Sequence, residues 1–75
     1  MKAIRIEKTI VSLENVRSVE LHQSGSGAKS NPFRSTIVVE YQGKCEDARV
    51  WFSDDMAQTT GEKYMEKIMS ILSEG

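Results

Sequence analysis

The sequence predicts an α+β domain: a four-stranded antiparallel β-meander with one C-terminal amphipathic helix packed on one face of the sheet. Three observations predict it. Between Thr60 and Glu74, the apolar residues Tyr64, Met65, Ile68, Met69, Ile71 and Leu72 recur at spacings of three, four and seven. Glu62, Lys63, Glu66, Lys67, Ser70 and Ser73 fill most of the remainder, as in a helix with one apolar stripe. Four earlier runs alternate with the period of two of half-buried strands. The last two of these are joined by a short glycine-containing connection whose register can be worked out.

Lys2 to Lys8 is the first strand, with Ile4 and Ile6 on one face and Ala3, Arg5 and Glu7 on the other. Ile10, Val11 and Leu13 then break the parity, which predicts a bulge or bend near Thr9, followed by a turn at Leu13-Glu14-Asn15-Val16. Arg17 to His22 is the second strand, Val19 and Leu21 facing in. Residues 23–34 hold three serines, two glycines and the only proline, a composition that cannot bury a face, so a flexible loop is expected there.

Arg34 to Tyr41 is the strongest strand, with Thr36, Ile37, Val38, Val39 and Tyr41 β-branched or aromatic. Ala48, Val50 and Phe52 share a face in the next run, opposite Asp47, Arg49 and Trp51. A two-residue turn at Gly43-Lys44, glycine first as type II′ prefers, sets Ile37 against Val50 and Val39 against Ala48. An odd-length loop would put Val39 against Asp47. Two helix starts are open: Ser53-Asp54-Asp55, or Thr59 as N-cap with Glu62 three residues later, and the second is favoured. Gly61 lies on the stripe of Met65, Ile68 and Leu72, where it allows close approach to the sheet.

The element order, with Leu13-Glu14-Asn15-Val16-Arg17-Ser18-Val19-Glu20 and Glu66-Lys67-Ile68-Met69-Ser70-Ile71-Leu72, resembles many small bacterial proteins built as a strand meander plus a closing helix. It is similar in plan to the small flagellar-operon proteins of the FlbD type. Those have a central asparagine-proline turn, where this chain has Asn15-Val16. The resemblance covers most of the chain and implies the fold, with no functional residue carried over.

Seventy-five residues make a single domain, 1–75, and a chain of this size buries only roughly 60% of its unfolded surface, so a partner subunit would add stability. A net charge of −1, split as +2 over residues 1–52 and −3 over 53–75, exerts no global pull on nucleic acid or anionic membrane. One cysteine, Cys45, excludes an internal disulfide framework and fits a reducing, cytoplasmic setting. No apolar run approaches the roughly 20 residues of a membrane span, and Lys2 and Arg5 interrupt any signal-peptide character.

Candidate chemistry is sparse. Gly25-Ser26-Gly27-Ala28-Lys29-Ser30 lacks the glycine spacing of a phosphate-binding loop, and Asn31-Pro32 interrupts the helix that should follow. Weak anion contact at Lys29 and Arg34 is the remaining option for that segment. His22 and Cys45 have no reason to meet as a nucleophile pair, and neither Glu46-Asp47 nor Asp54-Asp55 has metal-site spacing. Catalytic, cofactor and metal sites are therefore all expected to be absent. The better clue is Trp51, which the pattern puts with Val38 and Thr36 on the sheet face away from the helix, as a candidate interface. The expectation is a non-catalytic protein-interaction or assembly module, a homo-oligomer with a dimer favoured. The alternative is a ligand- or nucleic-acid-binding module using the 23–34 loop and the free sheet face, although Glu20, Glu40 and Asp47 on that face work against RNA.

Overall fold

A computed structural model describes residues 2–43 and 46–74. Its elements are β1 (Ala3–Ile6), β2 (Thr9–Ser12), β3 (Val16–Ser24), β4 (Arg34–Tyr41), β5 (Ala48–Ser53) and α1 (Ala57–Ser73). The architecture is α+β with antiparallel pairing throughout, but the strands form two sheets, not one four-stranded meander. β1 pairs only with β2, and β3, β4 and β5 form a three-stranded sheet in that order.

The first correction concerns the parity break. It is not a bulge or bend in one strand but a hairpin, in which Glu7 and Lys8 turn the chain and Ile6 pairs with Thr9 and Ile4 with Val11. Glu7 takes the left-handed conformation at φ 54° that such a tight turn requires. A two-residue turn moves the inward set from even to odd positions, so Ile4, Ile6, Val11 and Leu13 are all buried while Ile10 is 74% exposed.

In the three-stranded sheet, β4 occupies Arg34–Tyr41, and the β4–β5 ladder sets Ile37 against Val50 and Val39 against Ala48, the register argued from the sequence. Gly43 has φ 87°, the sign that the first position of a type II′ turn needs, while Lys44 and Cys45 lie outside the described residues. β3 pairs with β4 from Ser24↔Arg34 to Val16↔Tyr41, with a register shift between Val16 and Ser18. That shift leaves Arg17 as the extra residue of a bulge.

Gln23, Ser24 and Arg34 belong to strands, so the connection proper is 25–33. Within it, the Ser26 and Gly27 amides both donate to the Asn31 carbonyl, at 3.0 and 3.1 Å, and the Asn31 amide returns a 2.9 Å bond to Ala28. Gly25 and Gly27 adopt φ of 97° and 87°, which any other residue would occupy only with strain.

The helix begins at Ala57, between the two starts considered. Thr59 is not its cap. The Asp54 carboxylate accepts the Met56 amide at 2.7 Å, and Thr60 already donates to the Met56 carbonyl at 2.8 Å. Ala57, Gly61 and Ile68 are the helix's buried residues. Tyr64, Met65, Ile71 and Leu72 are half-buried around them, and Met69, expected in the stripe, is exposed. A Cβ at Gly61 would lie 2.7 Å from Ser35 Oγ and 3.2 Å from Leu21 Cδ1, so glycine is what lets the helix seat on β3 and β4.

The core joins the inner sheet face (Ile37, Val39, Val50, Phe52) to the β1–β2 hairpin (Ile4, Ile6, Val11, Leu13) and the helix (Ala57, Ile68). Two tyrosines tie these parts. The Tyr41 hydroxyl donates to the Ser12 carbonyl at 2.7 Å, and the Tyr64 hydroxyl accepts the Glu7 amide at 3.3 Å while its ring meets Phe52 edge-on at 5.7 Å. Buried Ser35 donates to the Ala57 carbonyl at 2.7 Å, which satisfies its hydroxyl next to Gly61. No helix among the described residues is long and apolar enough to cross a membrane.

Candidate interaction face

Strand alternation fixes what the sheet shows on its outer side. Reading across β3, β4 and β5, the pairing gives the rows Ser24-Arg34-Ser53, His22-Thr36-Trp51, Glu20-Val38-Arg49 and Ser18-Glu40. The opposite face carries the core, so every one of these side chains points away from the helix.

Trp51 is 59% exposed on this face, on the edge strand β5. Arg34, diagonal to it across the pairing, lays its guanidinium over the indole at 4.6 Å from the ring centroid. That stacking holds the indole rim in place and adds about 0.5–1 kcal/mol at an exposed site. Thr36, the cross-strand partner of Trp51, is half-buried beside it. Val38 departs from the sequence-based expectation. It was expected to extend the apolar patch, but it is only 4% exposed. Its row places it on the central strand, flanked by Glu20 on one side and Arg49 on the other. Of the three residues Val38, Trp51 and Thr36, only Trp51 offers a large apolar surface.

Charge is ordered along the strands. At one end, Arg17 Nη2 lies 2.6 Å from Glu40 Oε2, and the Ser18 hydroxyl donates to the same oxygen at 2.9 Å. The β3 bulge creates this clamp, because the extra residue aims Arg17 toward the face that Ser18 already shares. The hydrogen bond from Arg17, then that from Ser18, hold the Glu40 carboxyl below its ordinary range, and the same contact raises Arg17 above its own. Glu20 lies in the next row, its carboxylate 3.2 Å from His22 Nε2, and Asp47 borders the same shallow depression as Glu20, Glu40 and Arg49. At the other end stands Arg34. One end of the face is thus rich in carboxylates and the other is cationic.

The anion contact considered from the sequence is dispersed. Lys29 sits exposed in the tight turn between Ala28 and Asn31, whereas Arg34 is committed to the Trp51 ring on the sheet. Two of the loop amides that could have cradled an anion instead serve the Asn31 carbonyl. His22 is paired with Glu20, and Cys45 lies outside the described residues. Among the described residues, no three His, Cys, Asp or Glu side chains gather as metal ligands. Sequence reasoning missed the Arg34–Trp51 stack. A signal for it existed, because once the β4–β5 register is fixed, residues 34 and 51 fall on one diagonal.

No protein-family model, curated protein or solved structure matches the chain. The likeness to FlbD-type proteins therefore rests on the residue pattern alone.

Proposed function

We propose that this domain is a small, non-catalytic interaction or assembly module of the cytoplasm, and that the outer face of β3–β4–β5 is its contact surface. The observation that carries the reading is Trp51: a tryptophan 59% exposed on a sheet face and held by an arginine stacked on it. Exposed aromatic and arginine side chains are what interface cores are enriched in, and the stack orders both before any partner arrives, which lowers the entropic cost of binding. The alternation of charge around the indole supplies the polar rim of such a surface.

A photo-reactive phenylalanine analogue placed at Trp51 tests the reading inside cells. Adducts are expected from position 51 and not from Glu62, which is exposed on the helix. Equal adducts at both positions, or none at 51, would overturn it.

A further inference from the structure

The outer face is not only exposed but self-complementary, and this names its occupant. Resting on the reading above, we infer that a second copy of the chain docks on it face to face, with the two β4 strands antiparallel. The two-fold axis runs across the strands at the level of Ile37, between the Thr36 and Val38 rows.

The argument is a comparison of the two ways a face can meet itself. An isologous contact places each residue against its mirror position under the two-fold axis. If the axis ran along β4, each row would face itself, and Glu40 would meet Glu40 and Arg34 would meet Arg34. Both β4 ends would then hold like charges. If the axis runs across the strands at Ile37, the row order reverses. Arg34 then faces Glu40 of the second copy, His22 faces its Glu20, and Thr36 faces its Val38. Arg49 comes over Trp51 of the second copy, whose other side already carries its own Arg34, so the indole is held between two guanidiniums. Arg34–Glu40 is then an opposite-charge pair that occurs twice, and it brings a second guanidinium to a carboxylate that Arg17 already holds. Ser18 opposes Ser24, and Asp47, if it continues the β5 register by one residue, opposes Ser53.

Size sets the strength. Three strands at about 4.8 Å spacing and six residues of β4 at about 3.4 Å cover a strip roughly 10–14 Å by 20 Å, which is below a standard interface. The dimer is therefore weak, and its electrostatic share is screened by salt.

Sedimentation of charge-reversed variants tests the pairing. The wild type is expected to self-associate between about 10 μM and 1 mM protein, less so in 0.5 M NaCl. Arg34→Glu alone puts two carboxylate pairs in the contact, and Glu40→Arg alone puts two guanidinium pairs there, so each homodimer should weaken at least about tenfold. Mixed in equal amounts, the two variants regain both opposite-charge pairs, and the mixture should associate within about threefold of wild type. Should Glu40→Arg fail to fold beside Arg17, Glu40→Gln replaces it. Its mixture with Arg34→Glu should still associate more tightly than Arg34→Glu by itself.

A wild type monomeric at 1 mM would overturn the self-docking, as would variants that weaken singly but gain nothing on mixing. Cross-links from position 51 only to a different protein would also overturn it while leaving the contact-face reading intact, so the two failures are distinguishable.

Discussion

The two faces of the β3–β4–β5 sheet are made of alternate residues of the same three strands, yet they hold opposite kinds of side chain for opposite ends. On the inner side, the rows Val19-Val39-Ala48 and Leu21-Ile37-Val50 meet a helix and a hairpin, and Ile37 and Val39 are almost wholly enclosed. On the outer side, the intervening rows carry charge, and the exposed indole sits one position from buried Val50 and Phe52. A substitution inside is expected to read out in folding. One outside is expected to read out in association, with the fold nearly indifferent. The difference shows how a chain of 75 residues can keep a core and still spare a surface.

The largest expected effect breaks the inner face where the helix seats. Gly61→Leu adds a branched side chain where a Cβ alone would stand 2.7 Å from Ser35 Oγ and 3.2 Å from Leu21 Cδ1. The helix must lift from β3 and β4, and loss of the cooperative melting transition is expected by circular dichroism. Next comes Ile37→Ala, at the centre of the inner face, which should cost about 2–5 kcal/mol in a urea titration. Ser35→Ala is smaller. It removes the bond to the Ala57 carbonyl and the acceptor of the Gln23 side-chain amide, for about 1 kcal/mol. If Ile37→Ala cost no more than an outer-face change, the contrast between the faces would be lost.

Trp51→Glu sharpens the contrast from the other side. It removes the largest outer-face apolar group and its stack with Arg34, and it should cost no more than about 1 kcal/mol in a urea titration. The same variant should abolish the self-association assigned to the face. A large loss of stability would mean that the indole serves the fold rather than a partner.

Legibility from the sequence divides along the same line between regular alternation and its exceptions. β4 and the β4–β5 register could be read because β-branched residues and a glycine-first turn allow one pairing that puts all apolar side chains together. The close seating at Gly61 could be read from its place on the stripe. The β1–β2 hairpin could not, because Glu7-Lys8 contains no glycine or asparagine and the left-handed residue is a glutamate. Its signature, the switch of apolar parity between Ile6 and Val11, is shared with a bulge. The helix start lay between the two readings because the N-cap residue is Met56, whose side chain makes no capping hydrogen bond, while Asp54 turns the chain just ahead of it. Val38 misled because alternation assigns a side chain to a face but is silent on how exposed it is on a central strand flanked on both sides. The candidate face was legible in its members and illegible in its contacts.

The smallest expected effect concerns the bulge at Arg17, and its sign follows from the Glu40 carboxyl. The hydrogen bond from Arg17, followed by that from Ser18, holds this group below its ordinary value of 4.5 in the folded chain. A carboxylate depressed on folding contributes stability that is fully present above its unfolded value and is lost as pH falls through the folded one. Glu40→Gln keeps the shape and removes the titration. At pH 7 the wild type should therefore be slightly the more stable, and the gap should close as pH falls from the ordinary carboxylate value through the lower folded one, as measured by urea midpoints at a protein concentration low enough for the monomer. All other carboxylates are common to both proteins, so the difference reports Glu40 alone. A gap that stayed constant with pH would mean that the clamp does not act through charge. The bulge would then matter only for where it aims Arg17, and the acidic end of the outer face would owe its order to strand geometry rather than to the ion pair.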